Sequence, residues 1–588
     1  MVERKAIQGV GIQAHAPGAR LQVLTSRWPF LKDSLEAVIL FAVTAFFLFY
    51  GLVPFFGGDG LGLVGADEPR YAQVAREMLA RHDYVTPYLW GHPWLEKPAL
   101  YYWRAMFSFR EFGVHDWSAR LPSTSFAFIL VTLIYLHIRR FRPGGQLDAA
   151  LITASCAGIL SFARGASTDM QLAAPFCIGM LGWYAWYETD RKFWLFDLYF
   201  FVGAATLAKG PVAPFLALAI IFSFAALRRE WSLLRRTIWI PGVILYFAMV
   251  LPWYVAVQRR NPSFFRVFLL EHNLERFATN RYLHAESHWY YIPVTLLGLM
   301  PWTIIALRAL IEGIQQSVAE WRARRAKVRY LGHVRWGDAF PEFLVLSALF
   351  PIVFFSLSRS KLPGYILPAI PPLTILTGDY LNRIRNQGLG SWLLISHALL
   401  TGTTVSLVLL LPWHIGHPGA IPGASILVSA ALSGAASALL ILIVVARFGV
   451  ARLRLATTVP LVMMLLFVFG VGPFPGLPAL SASKKNIRLL DAAYSARPLA
   501  SIISQIGKPG EQVAVYRVRR DAEYGLSFYR DRRVANYDVD GVPGDEHILV
   551  TRENFTSDLP KLLAGRSYEP LFSYPAQSLA VYQVFAKK

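Results

Sequence analysis

The stretch GADEPRYAQVAREML, Gly65 to Leu79, follows an apolar segment at residues 37–55. It carries two adjacent acids, Asp67 and Glu68, and an arginine, Arg70. Tyr71, Val74, Met78 and Leu79 then recur at helical spacing. An apolar block followed at once by a charged amphipathic helix is the pattern of a membrane protein that keeps a helix at the bilayer surface. On helix chemistry alone Asp67 is an N-cap, Glu68 favours the positive helix end and Pro69 fits the first turn. That reading leaves unexplained why charge continues to accumulate beyond it.

Outward from this stretch the same alternation of apolar block and polar loop fills the chain. Of 588 residues 55% are hydrophobic and 16% charged, against about 25% charged in a soluble domain. Mean hydropathy is +0.40. The apolar residues gather in blocks near the ~20 residues that a helix needs to cross hydrocarbon. Candidate spans are 37–55, 121–138, 147–162, 170–187, 193–208, 211–227, 238–257, 292–310, 343–357, 366–380, 392–413, 426–445 and 459–472, about thirteen. The alternation of an outer-membrane barrel is missing. The fold class expected is a polytopic α-helical membrane protein.

The net charge of +21 does not point to nucleic acid, because the arginines and lysines cluster in short loops between apolar blocks. With a cytoplasmic N-terminus, the basic loops at 139–142, 191–192, 228–236, 322–335, 383–385 and 447–454 all fall inside, as the positive-inside rule requires. The other side receives loops 57–118 and 258–290, shorter loops, and the C-terminal tail. The tail changes composition: 512–518, 547–551 and 579–584 read as strands, 498–506 and 557–563 as helices. The expected organisation is a membrane domain over 1–475 and a small α/β domain over 476–588 on the periplasmic side. Cys156 and Cys177 lie inside apolar blocks and read as small core residues.

The loop after Leu79 continues HDYVTPYLWGHPWLEKPALYYW, His82 to Trp103, crowded with aromatics around Glu96, Lys97 and Pro98. Charge at lipid depth is costly unless it is paired or used. DEPRYA followed by LEKPALYYW resembles the first periplasmic loop of the bacterial aminoarabinose transferases, lipid-dependent glycosyltransferases of the GT-C class related to protein O-mannosyltransferases. RGASTDM (164–170), LAKGPVA (207–213), LEHNLERFA (270–278) and SRSKLPGYILP (358–368) resemble later motifs of the same family. The resemblance implies a GT-C fold in the bacterial inner membrane. It implies an undecaprenyl-phosphate-linked sugar donor, a lipid A acceptor, and a product that carries less negative charge and so attracts polymyxin and other cationic peptides less. A monomer surrounded by membrane lipids is the default, with no nucleic-acid partner.

Such a reaction joins two anions, so arginine, lysine or a divalent cation suits the site. The expected carboxylate and cation at its centre are Asp67 and Lys97, with Asp169 in a similar role and an alternative as a helix cap. Arg70, Lys209, Arg260, Lys361 and Tyr365 are expected to bind substrate. Arg70 could instead pair with Glu68, Lys209 and Arg260 could anchor at the interface, and Tyr365 could be a belt tyrosine. Glu96 and His272 are candidate ligands of one divalent cation, zinc or magnesium. His284, Glu286 and His288, in the loop of His272, offer further ligands and otherwise read as solvated residues. The rival functions are a polyprenyl-phosphate-dependent mannosyl- or other glycosyltransferase acting on protein or glycan, and a lipid flippase. A flippase favours charge in mid-span and inverted repeats, whereas here the charged motifs gather at one membrane face.

Overall fold

The computed structural model describes residues 29–52, 60–275, 286–327, 338–417, 421–469 and 478–587. The domain boundary expected at 475/476 and His284 lie outside the described residues. In chain order the helices of the membrane part are α1 (Pro29–Phe49), α2 (Asp67–Arg81), α3 (Leu100–Phe112), α4 (Asp116–Phe141), α5 (Gln146–Ser155), α6 (Ala157–Ala163), α7 (Asp169–Thr189), α8 (Phe193–Lys209), α9 (Val212–Arg228), α10 (Ser232–Thr237), α11 (Ile240–Arg260), α12 (Tyr291–Gly298), α13 (Thr303–Lys327), α14 (Phe340–Ser356), α15 (Ile370–Arg383), α16 (Ser391–Gly416), α17 (Ala424–Phe448) and α18 (Leu453–Phe469). A π-helical turn, Arg266–Glu275, follows α11, and a 3-10 turn, Pro363–Ala369, precedes α15.

Among the described residues the apolar segments read from the sequence fall mostly on helix, but they are not uniform crossings. Among the described residues five helices are long and apolar enough to cross a membrane, or up to seven if each bent pair counts as one span. Segment 292–310, expected as one span, is α12 and α13 meeting at 115°. Pro301 stands in the break, and a proline has no N–H with which to continue a helix. Segment 147–162 is likewise α5 and α6, bent by 61°. The two breaks meet: Ala157 N donates to Met300 O at 2.9 Å, and Trp302 Nε1 donates to Ser155 Oγ at 2.9 Å. Backbone groups released by a kink inside a bundle need such partners.

The bundle core is apolar and aromatic. Trp183 and Tyr184 of α7 meet Phe224 of α9 and Phe343 of α14, with Tyr184 stacked on Phe343 at 4.7 Å. Where helices must approach closely the chain uses glycine. A Cβ on Gly402 of α16 would lie 2.4 Å from the carbonyl of Gly434 in α17, and one on Gly434 would lie 2.5 Å from that of Gly402. Small residues at such crossings let backbones pack where lipid offers no hydrophobic drive.

α2, expected to lay its apolar face in the membrane interface, is instead covered by protein. Pro69, Tyr71, Ala72, Val74, Ala75 and Met78 are buried. They pack with Tyr101, Tyr102, Ala105, Met106 and Phe109 of α3 and with Phe528 near the C-terminus.

The C-terminal part has helices α19 (Pro478–Tyr494), α20 (Arg497–Ile506) and α21 (Arg520–Tyr529). It also holds a mixed sheet of β3 (Gln512–Tyr516), β4 (Ala535–Asn536), β5 (His547–Arg552), β6 (Tyr568–Tyr574) and β7 (Leu579–Val584); the loop strands β1 (Tyr88–Leu89) and β2 (His92–Pro93) form a separate hairpin. The sheet order is β4-β3-β5-β7-β6, parallel among β3, β4 and β5 and antiparallel through β7 and β6. Val513, Val515, Ile548, Val550 and Val581 face Leu499, Ile503 and Leu526 on one side. Leu549, Tyr516 and Leu563 pack on the other. The strands at 512–518, 547–551 and 579–584 are thus found, while β4, β6 and α21 were not read from the sequence.

Candidate active site

Two carboxylates start two helices. Asp67 is the first residue of α2 and Asp169 the first of α7. Asp67 is not the cap expected: Ala66 holds that position and makes no side-chain cap bond. Each carboxylate sits at the positive end of a helix dipole, and each is paired with a cation, Asp67 with Arg70 and Asp169 with Lys209. The side chain of Asp67 is 53% exposed while that of Arg70 is 11% exposed, so the acid faces outward from a buried guanidinium.

Glu68 joins the two helix starts. It accepts from Val64 N at 2.7 Å and from Ala166 N, three residues before Asp169, at 2.8 Å. It also pairs with Arg120 of α4, Nη2 to Oε2 at 2.5 Å. Arg120 donates onward to Gly62 O at 2.7 Å. Glu68 therefore pairs with Arg120 and not with Arg70, whose partner is Asp67, and its work is to fasten the turn before α2 to the turn before α7. Arg120 carries no signal in the sequence, and Glu68, expected only to favour the helix end or to pair with Arg70, is turned the opposite way from its neighbour Asp67.

Around Arg70 stand Tyr71, Trp94 and Tyr524, with ring centroids 5.3, 5.0 and 5.6 Å from its guanidinium carbon. Burial opposes its charge, but Tyr71, the Asp67 and Glu96 carboxylates and Tyr524 together hold its pKa above the ordinary guanidinium value. Glu96 Oε1 also lies 3.7 Å from His272 Nε2. Lys97, next to Glu96, is half-buried.

At the second pair the Lys209 ammonium lies 5.0 Å from the Tyr365 ring centroid. Gly364 is required here because a Cβ would stand 2.4 Å from Asp169 Oδ1. Tyr291 donates to Leu362 O at 3.1 Å and so holds the loop that presents Tyr365. Arg104 of α3, also passed over, reaches Gln171 Oε1 at 2.5 Å and Ser125 Oγ at 2.6 Å. Burial lowers its pKa to about 10.

Two expected substrate residues are engaged elsewhere. Lys361 is buried and donates to the carbonyls of Glu286, at 3.0 Å, and Ser358. Arg260 is 56% exposed and pairs with Asp83 at 2.8 Å. Asp83 follows the C-terminal end of α2, about 20 Å along the helix from Asp67 at 1.5 Å per residue. Among the described residues no three His, Cys, Asp or Glu side chains gather in a metal-holding group; Glu96 and His272 are a two-donor pair. Chemically, the arrangement offers several cations, mostly pre-paired with carboxylates, at one end of the bundle. That suits the capture of phosphate groups.

The chain is similar to known proteins in sequence and in fold. Residues 96–255 match the family model for dolichyl-phosphate-mannose-protein mannosyltransferase. The undecaprenyl phosphate-alpha-4-amino-4-deoxy-L-arabinose arabinosyl transferase of Edwardsiella ictaluri is 29% identical over 395 residues, 64% of this chain and 66% of that one. The protein of the same name from Pseudomonas aeruginosa strain UCBPP-PA14 is 31% identical over 345 residues, 57% of this chain and 58% of that one. The chain thus aligns with less than two thirds of the length of these relatives. The crystal structure of ArnT from Cupriavidus metallidurans bound to undecaprenyl phosphate superposes with TM-score 0.69 at 22% identity, covering 94% of this chain and 97% of that one. Its apo form superposes with TM-score 0.70. In sequence this chain is similar to the undecaprenyl phosphate-aminoarabinose arabinosyl transferases, and its fold is that of the ArnT structures, a helical membrane part with an α/β region at the C-terminus.

Proposed function

We propose that the chain is a pentosyltransferase that moves 4-amino-4-deoxy-L-arabinose from undecaprenyl phosphate to phosphate groups of lipid A. The observation that carries this reading is the pair of helix-start carboxylates, Asp67 with Arg70 and Asp169 with Lys209, tied together through Glu68. In the reaction a lipid A phosphate oxygen forms a bond to the sugar's anomeric carbon. The bond from that carbon to the carrier phosphate breaks, and its electron pair leaves on the carrier phosphate. Phosphate is ionised at neutral pH, so no strong base is needed. The barrier is the approach of two anions, which fixed cations lower.

In this scheme Lys97 and Arg70 hold the carrier phosphate, with Lys209 and Tyr365 beside it. Asp67, the more exposed acid, faces the sugar amine or the incoming acceptor, and Asp169 keeps Lys209 oriented. Lys361 acts by fixing the loop that bears Tyr365, and Arg260 stands at the rim. A divalent cation would be held by Glu96 and His272 and would supply charge neutralisation between the phosphates. The site faces the periplasm, with the N-terminus in the cytoplasm, the protein in the inner membrane, and a monomer as the working unit. The boundary between the membrane and C-terminal domains falls near 475.

The test is mass spectrometry of lipid A from cells lacking their own transferase, complemented with this chain or with Asp67→Ala at matched expression. Aminoarabinose on lipid A that disappears with Asp67→Ala, together with gain and loss of polymyxin resistance, supports the function and the site. A well-expressed chain that leaves lipid A unmodified while donor lipid accumulates refutes the acceptor. The match of 96–255 to a mannosyltransferase model then favours transfer to protein or glycan.

A further inference from the structure

We propose that Tyr524, in the C-terminal α/β region, is a positioning residue of the active site that acts through Arg70. The inference rests on the function proposed above and extends it to a part of the chain with no role so far.

Arg70 is a buried cation whose Nε has no hydrogen-bond partner among the described residues. Its carboxylate partner, Asp67, is 53% exposed, so that pair alone is an insecure anchor. Three rings complete the enclosure. Tyr71 and Trp94 come from the first loop, and Tyr524 comes from α21, more than four hundred residues along the chain. A desolvated guanidinium gains affinity from each aromatic face it lies against.

The position of Tyr524 is fixed by a dense dock. Arg76 of α2 donates to Phe528 O at 3.0 Å, lies over the Phe528 ring at 4.6 Å and pairs with Asp531 at 2.9 Å. The Tyr529 hydroxyl accepts from Leu63 N at 2.6 Å and donates to Asp116 Oδ1 at 2.6 Å. Arg497 bridges Asp116 at 2.8 Å and Asp491 at 2.7 Å. Tyr524 and Phe528 are one turn apart on α21, so the contact that seats Phe528 on Arg76 also presents Tyr524 to Arg70. The C-terminal region thus closes the side of the Arg70 cage that the membrane part leaves open.

The experiment uses the full chain purified in lipid nanodiscs. It measures binding of undecaprenyl phosphate, and separately donor KM and kcat for transfer to lipid A. Tyr524→Phe keeps the ring and is expected to match the wild type. Tyr524→Leu keeps bulk without a π face and is expected to weaken carrier binding and raise donor KM about tenfold, with kcat and thermal unfolding unchanged. In an Arg70→Ala background Tyr524→Leu is expected to add nothing. If Tyr524→Leu unfolds, Tyr524→Met carries the same comparison. A folded Leu or Met variant that binds the carrier like the wild type overturns the proposal. So does Tyr524→Phe binding as weakly as Tyr524→Leu, or an undiminished effect without Arg70. Wild-type chain that binds the carrier but transfers no sugar to lipid A refutes the function instead, and the binding comparison still decides Tyr524.

Discussion

Both ends of the helical bundle gather charge, and they handle it differently. At the end opposite the site, basic loops from distant parts of the sequence are locked together. Glu342 lies between Arg228 at 3.0 Å and Arg324 at 2.7 Å, all three less than a tenth exposed. Asp148 is held between Arg385 at 3.0 Å and Arg454 at 2.8 Å. Arg142 pairs with Glu188 and, at 2.7 Å, with Asp338. At the site end Asp67 is half exposed beside a buried arginine, Asp169 and Lys209 are 20% and 12% exposed, and aromatic rings stand where further carboxylates would complete the neutralisation. One end uses ion pairs to hold helices together. The other sets its cations against single carboxylates and aromatic rings, with the acid Asp67 turned outward.

The comparison can be broken by experiment. The largest effect is expected from Glu342→Ala, which removes the buried carboxylate that two buried arginines share and leaves them only the outer acids Glu230 and Glu320. A loss of about 3–5 kcal/mol is expected, read as early unfolding in detergent, and a variant as stable as wild type would deny the structural role of that end. Next is Asp169→Asn, with transfer falling about a hundredfold, roughly 2.7 kcal/mol in the barrier. Its melting point should stay near that of the wild type. Melting as early as Glu342→Ala would make the two ends alike.

Glu68→Gln sharpens the contrast within the site, because Glu68 belongs in kind to the opposite end. It is expected to lower stability by about 1–3 kcal/mol, whereas its neighbour Asp67→Asn should lower transfer and leave stability unchanged. Equal melting curves for the two variants would remove the distinction. Arg260→Ala should cost less than about 1 kcal/mol of stability, as exposed pairs do, and change donor KM only a few-fold. A loss of transfer as large as that of Asp169→Asn would move Arg260 from the rim to the centre.

The smallest effect is expected in the C-terminal sheet. His547 is buried, and its Nδ1 donates to Asp545 O at 2.7 Å while Nε2 accepts from the Tyr537 hydroxyl. Burial holds its pKa below the ordinary value, so folding favours the neutral ring. The stability from this preference is present above about pH 6.5 and is lost as pH falls through the lower folded value. His547→Gln should flatten that part of the pH–stability profile, and an unchanged profile would show that the ring titrates freely.

Much of the site was legible because its residues punctuate the sequence. Asp67, Glu96, Lys97, Asp169 and Lys209 interrupt apolar or aromatic runs, where charge needs a reason. The residues that were missed carry no such mark. Glu68 reads as an acid that favours its own helix end, Arg120 opens an ordinary span, and Tyr524 sits in a region that reads as a separate α/β unit. Lys361 and Arg260 had the right chemistry at the right end of the bundle, but backbone carbonyls and Asp83 engage them.

By itself the sequence determined which segments are apolar enough to enter the bundle, which loops share a side, and which charges need a partner, because hydrophobic length and charge placement are local properties. It also determined three strands of the C-terminal sheet through their apolar runs. Only the tertiary structure decided that two of the apolar segments bend and satisfy each other's backbone, that Asp67 faces outward while Glu68 turns inward to Arg120, and that Tyr524 reaches Arg70. Those outcomes depend on which partner fills a given space, and a partner hundreds of residues away leaves no trace in local pattern.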